Sequence, residues 1–167
     1  VTDLVIGEWS SDDGGSSNGA VWILNLNSSG IGVSSCQKLT QANTLYKQTV
    51  DITNNSVLGA CINITANGVT FDGNGKWIKS DDPVNGIFSD RTRSTIKNSN
   101  VTVNASDGGV GIQVRDNSAD YCVIENNTVY DSFRGILVVN ADDCIINENR
   151  VNNTNGVTNE GILIQSN

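Results

Sequence analysis

Gly86-Ile87-Phe88-Ser89, Gly111-Ile112-Gln113-Val114, Gly135-Ile136-Leu137-Val138 and Gly161-Ile162-Leu163-Ile164 are variants of one segment, spaced about 25 residues apart, with Cys61-Ile62-Asn63-Ile64 as an earlier copy. A second column runs in phase with them: Thr70-Phe71-Asp72-Gly73, Thr95-Ile96-Lys97-Asn98, Val123-Ile124-Glu125-Asn126 and Ile145-Ile146-Asn147-Glu148. Third apolar pieces follow at Trp77-Ile78, Val101-Thr102-Val103, Val129-Tyr130 and near Val151. Short β segments at a fixed period, separated by Asn, Asp and Gly turns, describe the coils of a solenoid. In such a fold each residue stacks on its counterpart about 4.8 Å away in the next coil. The fold class expected is all-β, a parallel β-helix of about five coils over residues 39–167 with a short β segment over residues 1–38 ahead of it.

Side chains alternate along a strand, so the register predicts which residues face inward. Ile87, Ile112, Ile136 and Ile162 share one interior column, with Ser89, Val114, Val138 and Ile164 beside it. Asn63, Phe88, Gln113, Leu137 and Leu163 point outward, and Phe88, Leu137 and Leu163 make an apolar stripe that is a candidate contact surface unless a neighbouring loop covers it. In the second column Phe71, Ile96, Ile124 and Ile146 face inward, as do Val69, Ser94, Cys122 and Cys144 two positions earlier. Cys122 and Cys144 thus fall on adjacent coils, where they either form a disulfide or stack as small buried hydrophobes. Gly73, Asn98, Asn126 and Glu148 fall at the following turn, where side-chain amides can ladder from coil to coil.

The chain has 167 residues, of which 37% are hydrophobic and 5% aromatic, with one Pro and no Met. That is lean for a single large core and suits stability drawn from stacked ladders. The net charge of -8 argues against nucleic acid or an anionic membrane surface as a partner, because both need a basic face. No apolar run is long enough to span a bilayer, and the amino terminus has no signal-like pattern, so any export signal is expected to have been removed or to lie outside the chain. Four cysteines are compatible with two disulfides and an oxidising exterior. Without a His or a C-x-x-C pair, imidazole mechanisms, zinc fingers and thioredoxin-type chemistry have no residues to use. Asn27, Asn54, Asn63, Asn100, Asn104, Asn126 and Asn152 stand in Asn-x-Ser/Thr sequons and are candidate sites for covalent glycan, although an Asn-rich repeat also generates sequons by composition.

From Thr40 to Asn167 the sequence resembles the pectin-lyase-like right-handed parallel β-helix, with Ile62-Asn63-Ile64-Thr65-Ala66-Asn67-Gly68-Val69-Thr70-Phe71-Asp72-Gly73-Asn74-Gly75 similar to an opening coil. The version is similar to repeats of archaeal and bacterial cell-surface proteins. The resemblance implies a disulfide between Cys36 and Cys61. It implies little about activity, since the fold hosts lyases, hydrolases, epimerases, adhesins and fibres. The first 38 residues resemble part of an FG-GAP repeat, the blade unit of integrin-type β-propellers, through Asp3-Leu4-Val5-Ile6-Gly7, Asp12-Asp13-Gly14-Gly15 and Gly19-Ala20-Val21-Trp22-Ile23-Leu24-Asn25-Leu26. That family binds calcium in an acidic loop of which only Asp3 is present here, too few oxygens for the ion.

Catalysis on polysaccharide would need convergent acid, base and cation. The candidates are Asp81, Asp82, Asp142, Asp143, Arg91, Arg93, Arg115 and Lys97, and the two Asp pairs fall on different corners of the coil. Asp90 and Arg115 occupy equivalent positions on adjacent coils and are expected to pair. No catalytic, metal or cofactor-binding residue is therefore assigned, and calcium in the acidic turns is the one cofactor left open. The expectation is an extracellular structural protein whose copies assemble head to tail, through Phe88, Leu137, Leu163, Ile162 and Ile164, into a cell-surface filament or layer. The alternatives are an adhesion or glycan-binding module of a larger surface protein, with Trp77, Tyr130 and Phe133 able to stack sugars, and a polysaccharide lyase or hydrolase.

Overall fold

Each repeated triplet forms a strand in the computed structural model, which describes residues 29–54, 59–82, 84–104, 108–152 and 160–165. The first sheet comprises Gln37–Leu39, Ala60–Ile64, Asn85–Ser89, Val110–Arg115, Arg134–Val139 and Ile162–Gln165, in that spatial order. The second comprises Ile31–Val33, Leu45–Gln48, Thr70–Asp72, Thr95–Lys97, Val123–Glu125 and Ile145–Asn147. Ile52–Asn54, Trp77–Ser80, Asn100–Val103, Thr128–Tyr130 and Arg150–Asn152 make the third. All neighbouring strands are parallel, so the chain visits the first, second and third sheet in turn and climbs one strand per circuit. Coils 1 to 5 begin at Gln37, Ala60, Asn85, Val110 and Arg134, and Ile162–Gln165 opens another. Ile31–Val33 lies ahead of coil 1 on the second sheet. Residues 1–28, and with them the FG-GAP-like motif, lie outside the described residues.

The register predicted from the repeats is the register observed. Ile62, Ile87, Ile112, Ile136 and Ile162 are successive partners in the first sheet. Phe71, Ile96, Ile124 and Ile146 are successive partners in the second. Each column is an unbroken run of buried side chains until its last described member, which is less buried. Two serines stand in the inward columns beside these and answer each other: Ser89 Oγ and Ser94 Oγ lie 2.7 Å apart in coil 3, and Ser94 also donates to the Arg91 carbonyl. A buried hydroxyl without such a partner would be destabilising.

Both described corners are fixed by residues in the left-handed region. Between first and second sheets these are Asn43, Gly68, Arg93, Tyr121 and Asp143, one per coil, with φ from 53° to 68°. Between second and third sheets they are Asn98, Asn126 and Glu148, with φ from 51° to 53°. Side chains then tie this second corner along the solenoid axis. Asn126 Nδ2 donates to Asn98 Oδ1 at 2.7 Å, and Asn98 Nδ2 to Asp72 Oδ1 at 3.0 Å. A second ladder runs just inside it: Asn149 Oδ1 accepts from the Asn127 backbone N–H, and Asn127 Oδ1 from that of Ser99. Their Nδ2 atoms donate to the Ile124 and Ile96 carbonyls.

At the start of the first-sheet strands the glycines are required by packing. A Cβ on Gly86, Gly111 or Gly135 would strike Val101, Val129 or Val151 of the same coil's third strand. At Gly161 the same position is open, with Val151 Cγ1 nearest at 3.9 Å.

Candidate functional site

Two disulfides join neighbouring coils. Cys36 bonds to Cys61 and Cys122 to Cys144, each across about one circuit of the spiral, with separations of 25 and 22 residues. The first is the pairing the family resemblance implied. The second resolves the choice left open for Cys122 and Cys144 in favour of a bond.

At the end of the spiral Ile162 and Ile164 are 47% and 65% exposed, although they stack on Ile136 and Val138, which are buried. Nothing about the residue type differs; the position in the stack does. The strand is held from below by its ladder to Arg134–Val139 and by an ion pair from Arg134 Nε to Glu160 Oε2 at 2.5 Å. At the other end Val33 and Leu39 are fully buried, while Ile31 is partly exposed.

The outward column of the first sheet is not the continuous apolar stripe expected from alternation. Leu137 is only 5% exposed, Gln113 is buried, and Phe88 and Leu163 are half-buried. Beside it lies a polar groove of about 590 Å³, lined by Asn85, Phe88, Asp90, Gln113, Arg115, Asp116, Asn117 and Asn140. Asn85 Nδ2 donates to Gln113 Oε1 at 2.8 Å. Asp90 does not pair with Arg115: its Oδ1 lies 3.3 Å from Arg91 Nε on its own coil, and that Nε donates to the Thr65 carbonyl. Equivalent positions on adjacent coils bring two side chains near one another, but a neighbour along the same turn needs no bridging reach.

The candidate acids and cations stay dispersed. Asp81 and Asp82 sit between the third and first sheets, whereas Asp142 and Asp143 sit between the first and second. Arg93 and Asp143 are corner residues with positive φ, at the position that Asn43, Gly68 and Tyr121 hold in other coils. Among the described residues no three His, Cys, Asp or Glu side chains gather closely enough to hold a metal ion. No described helix is long and apolar enough to cross a membrane. The calcium-loop residue Asp3 lies outside the described residues.

No match ties this chain to a known protein. A scan against protein-family models, a search of curated proteins and a search of solved structures each returned no match.

Of the sequon asparagines, Asn27 and the Asn54 side chain fall outside what is described. Asn63 is half-buried in the first sheet, and its Oδ1 is buried without a hydrogen bond. Asn100 and Asn104 donate Nδ2 to the Gly75 and Asp81 carbonyls, and Asn126 Nδ2 serves the corner ladder. Asn152 lies half-buried on the third sheet. The inner ladder through Asn127 and Asn149 lies one residue beyond the turn column that the repeats mark. Its signal was present as Ser99, Asn127 and Asn149, one residue past Asn98, Asn126 and Glu148.

Proposed function

We propose that this chain is an extracellular structural subunit that associates with its own copies, end to end, in a filament or surface layer. The observation that carries the reading is that Ile162 and Ile164 continue two interior columns and are exposed among the described residues. Burying each isoleucine is worth about 1.5–3 kcal/mol, and the strand edge offers a row of backbone groups besides. The phase of the spiral supports a second copy as the occupant. The last described strand is on the first sheet and the first described strand is on the second, so stacking in phase builds one coil from two copies. In that composite coil Ile162–Gln165 of one copy would lie beside Gln37–Leu39 of the next, and Ile145–Asn147 beside Ile31–Val33. A contact between unlike surfaces repeats without closing. The two disulfides suit an oxidising exterior, and covalent glycan belongs on sequons outside the corner ladder.

Electron microscopy of the purified, disulfide-bonded chain, with intact mass from the same sample, tests this. Filaments are expected from the parent and none from Ile164→Lys, which places a charge on the open column while keeping the melting temperature. A parent protein that stays monomeric at high concentration would sink the proposal.

A further inference from the structure

The third sheet carries an aromatic pair that assembly at the ends does not use. Trp77 and Tyr130 both project outward, from coils 2 and 4, and their ring centroids come within 6.1 Å at an interplanar angle of 35°. Coil 3 places Asn100 and Thr102 between them in register, so the two rings lean toward one another across an intervening strand. Both are half-buried, and the Lys79 ammonium stands 5.3 Å from the Trp77 ring centroid.

This platform runs into a trough of about 400 Å³ on the adjoining corner, lined by Asp72, Asn74, Gly75, Asn98, Asn100, Asn126 and Thr128. Asn100 and Thr128 belong to both, because they share an outward row with Trp77. Each amide nitrogen of the trough has one of its two hydrogens in use: Asn126 to Asn98, Asn98 to Asp72, Asn100 to the Gly75 carbonyl and Asn74 to the Gln48 carbonyl. What the trough offers a ligand is acceptor oxygen, from the Asn100 and Asn126 amides, the Asp72 carboxylate and the Thr128 hydroxyl, side by side with the second hydrogens of the amides. A row of acceptors and donors in alternation calls for a ligand whose groups both give and take hydrogen bonds, as hydroxyls do. With a single carboxylate the trough is poor in the charge a divalent cation needs. An aromatic platform beside amides and a hydroxyl is chemistry for a sugar, whose ring has an apolar face and polar edges.

We infer that the third-sheet face of coils 2 to 4 binds a neutral glycan chain, with a sugar ring on Trp77 and Tyr130 and the next rings along the Asn100, Thr128 and Asn126 trough. Lys79 supplies a donor at the platform edge. The trough spans about 10 Å at about 4.8 Å per coil, enough for a short oligosaccharide stretch. It follows that Asn100 and Asn126, which read as glycan carriers in the sequence, are instead glycan contacts.

The test uses the full chain with its disulfides formed and without N-glycosylation, run by affinity electrophoresis through gels holding a soluble mannan, a xylan or a mixed-linkage glucan. Retardation by at least one polymer is expected, weakened roughly tenfold or more in Trp77→Ala and in Tyr130→Ala, and retained in Trp77→Phe and Phe88→Ala. Should Trp77→Ala lose the fold, Tyr130→Ala and Asn100→Asp read the same face. Mobility unaffected by all three polymers overturns the inference. So does retardation that survives both aromatic variants, or that Phe88→Ala removes, which would move binding to the first-sheet groove. Glycan found on Asn100 or Asn126 of native material would also overturn it.

Discussion

Asn127 is the side chain on which the second corner turns. It is 1% exposed, accepts from the Ser99 N–H and donates to the Ile96 carbonyl, so truncation strands a donor and an acceptor in the interior. Asn127→Ala is expected to cost about 3 kcal/mol in urea unfolding, since each buried group left unpaired costs about 1–3 kcal/mol. Asn126→Ala, one residue away but exposed, should cost about 1–2 kcal/mol by the same measurement, chiefly because Ala tolerates the left-handed φ of 51° less well than Asn. Glu148 occupies the left-handed position that Asn98 and Asn126 hold in earlier coils. Replacing it with Asn should raise stability by about 1 kcal/mol, because Asn tolerates that conformation better and its amide can extend the outer ladder. A lower melting temperature for Glu148→Asn would show that the Glu carboxylate has a role the corner geometry does not reveal.

At the level of strands and turns, the repeat period carried most of the fold. Gly86, Gly111 and Gly135 recur because a valine from the third strand of the same coil fills the space a Cβ would take. Such a constraint returns once per coil and is readable as periodicity. Contacts along one turn do not return in this way. The Ser89–Ser94 pair and the Asp90–Arg91 pair each occur once, and the second displaced the Asp90–Arg115 pairing that coil equivalence suggested. The outward row was harder still, since alternation assigns a direction to Leu137 but not its exposure. The surfaces were legible only in part: Trp77 and Tyr130 were visible as aromatics, but their approach across coil 3 depends on how the side chains lean. The disulfides were partly legible, and each closes a loop of similar length. Replacing either pair with serine should cost about 3 kcal/mol in denaturant unfolding under oxidising conditions, with coil 3 folded in both variants.

For the molecule as a whole, the interior columns of the described residues are buried through Ile136 and Val138, and their next members Ile162 and Ile164 are exposed. If that end recruits another copy, growth should depend on protein concentration and show a lag shortened by preformed fragments, since the first contact must form before the composite coil exists. Light scattering with and without sonicated seeds would reveal this, and seeds of Ile164→Lys should fail to shorten the lag. The placement of the two disulfides bears on mechanics. One clasps coil 1 to coil 2 and the other coil 4 to coil 5, leaving coil 3 without a covalent tie to its neighbours beyond the chain itself. A subunit pulled along its axis would therefore yield first in the middle and be arrested at both ends. Together the clasped loops withhold about 150 Å of slack at about 3.4 Å per residue, which force spectroscopy should register as added extension only once a reductant is present.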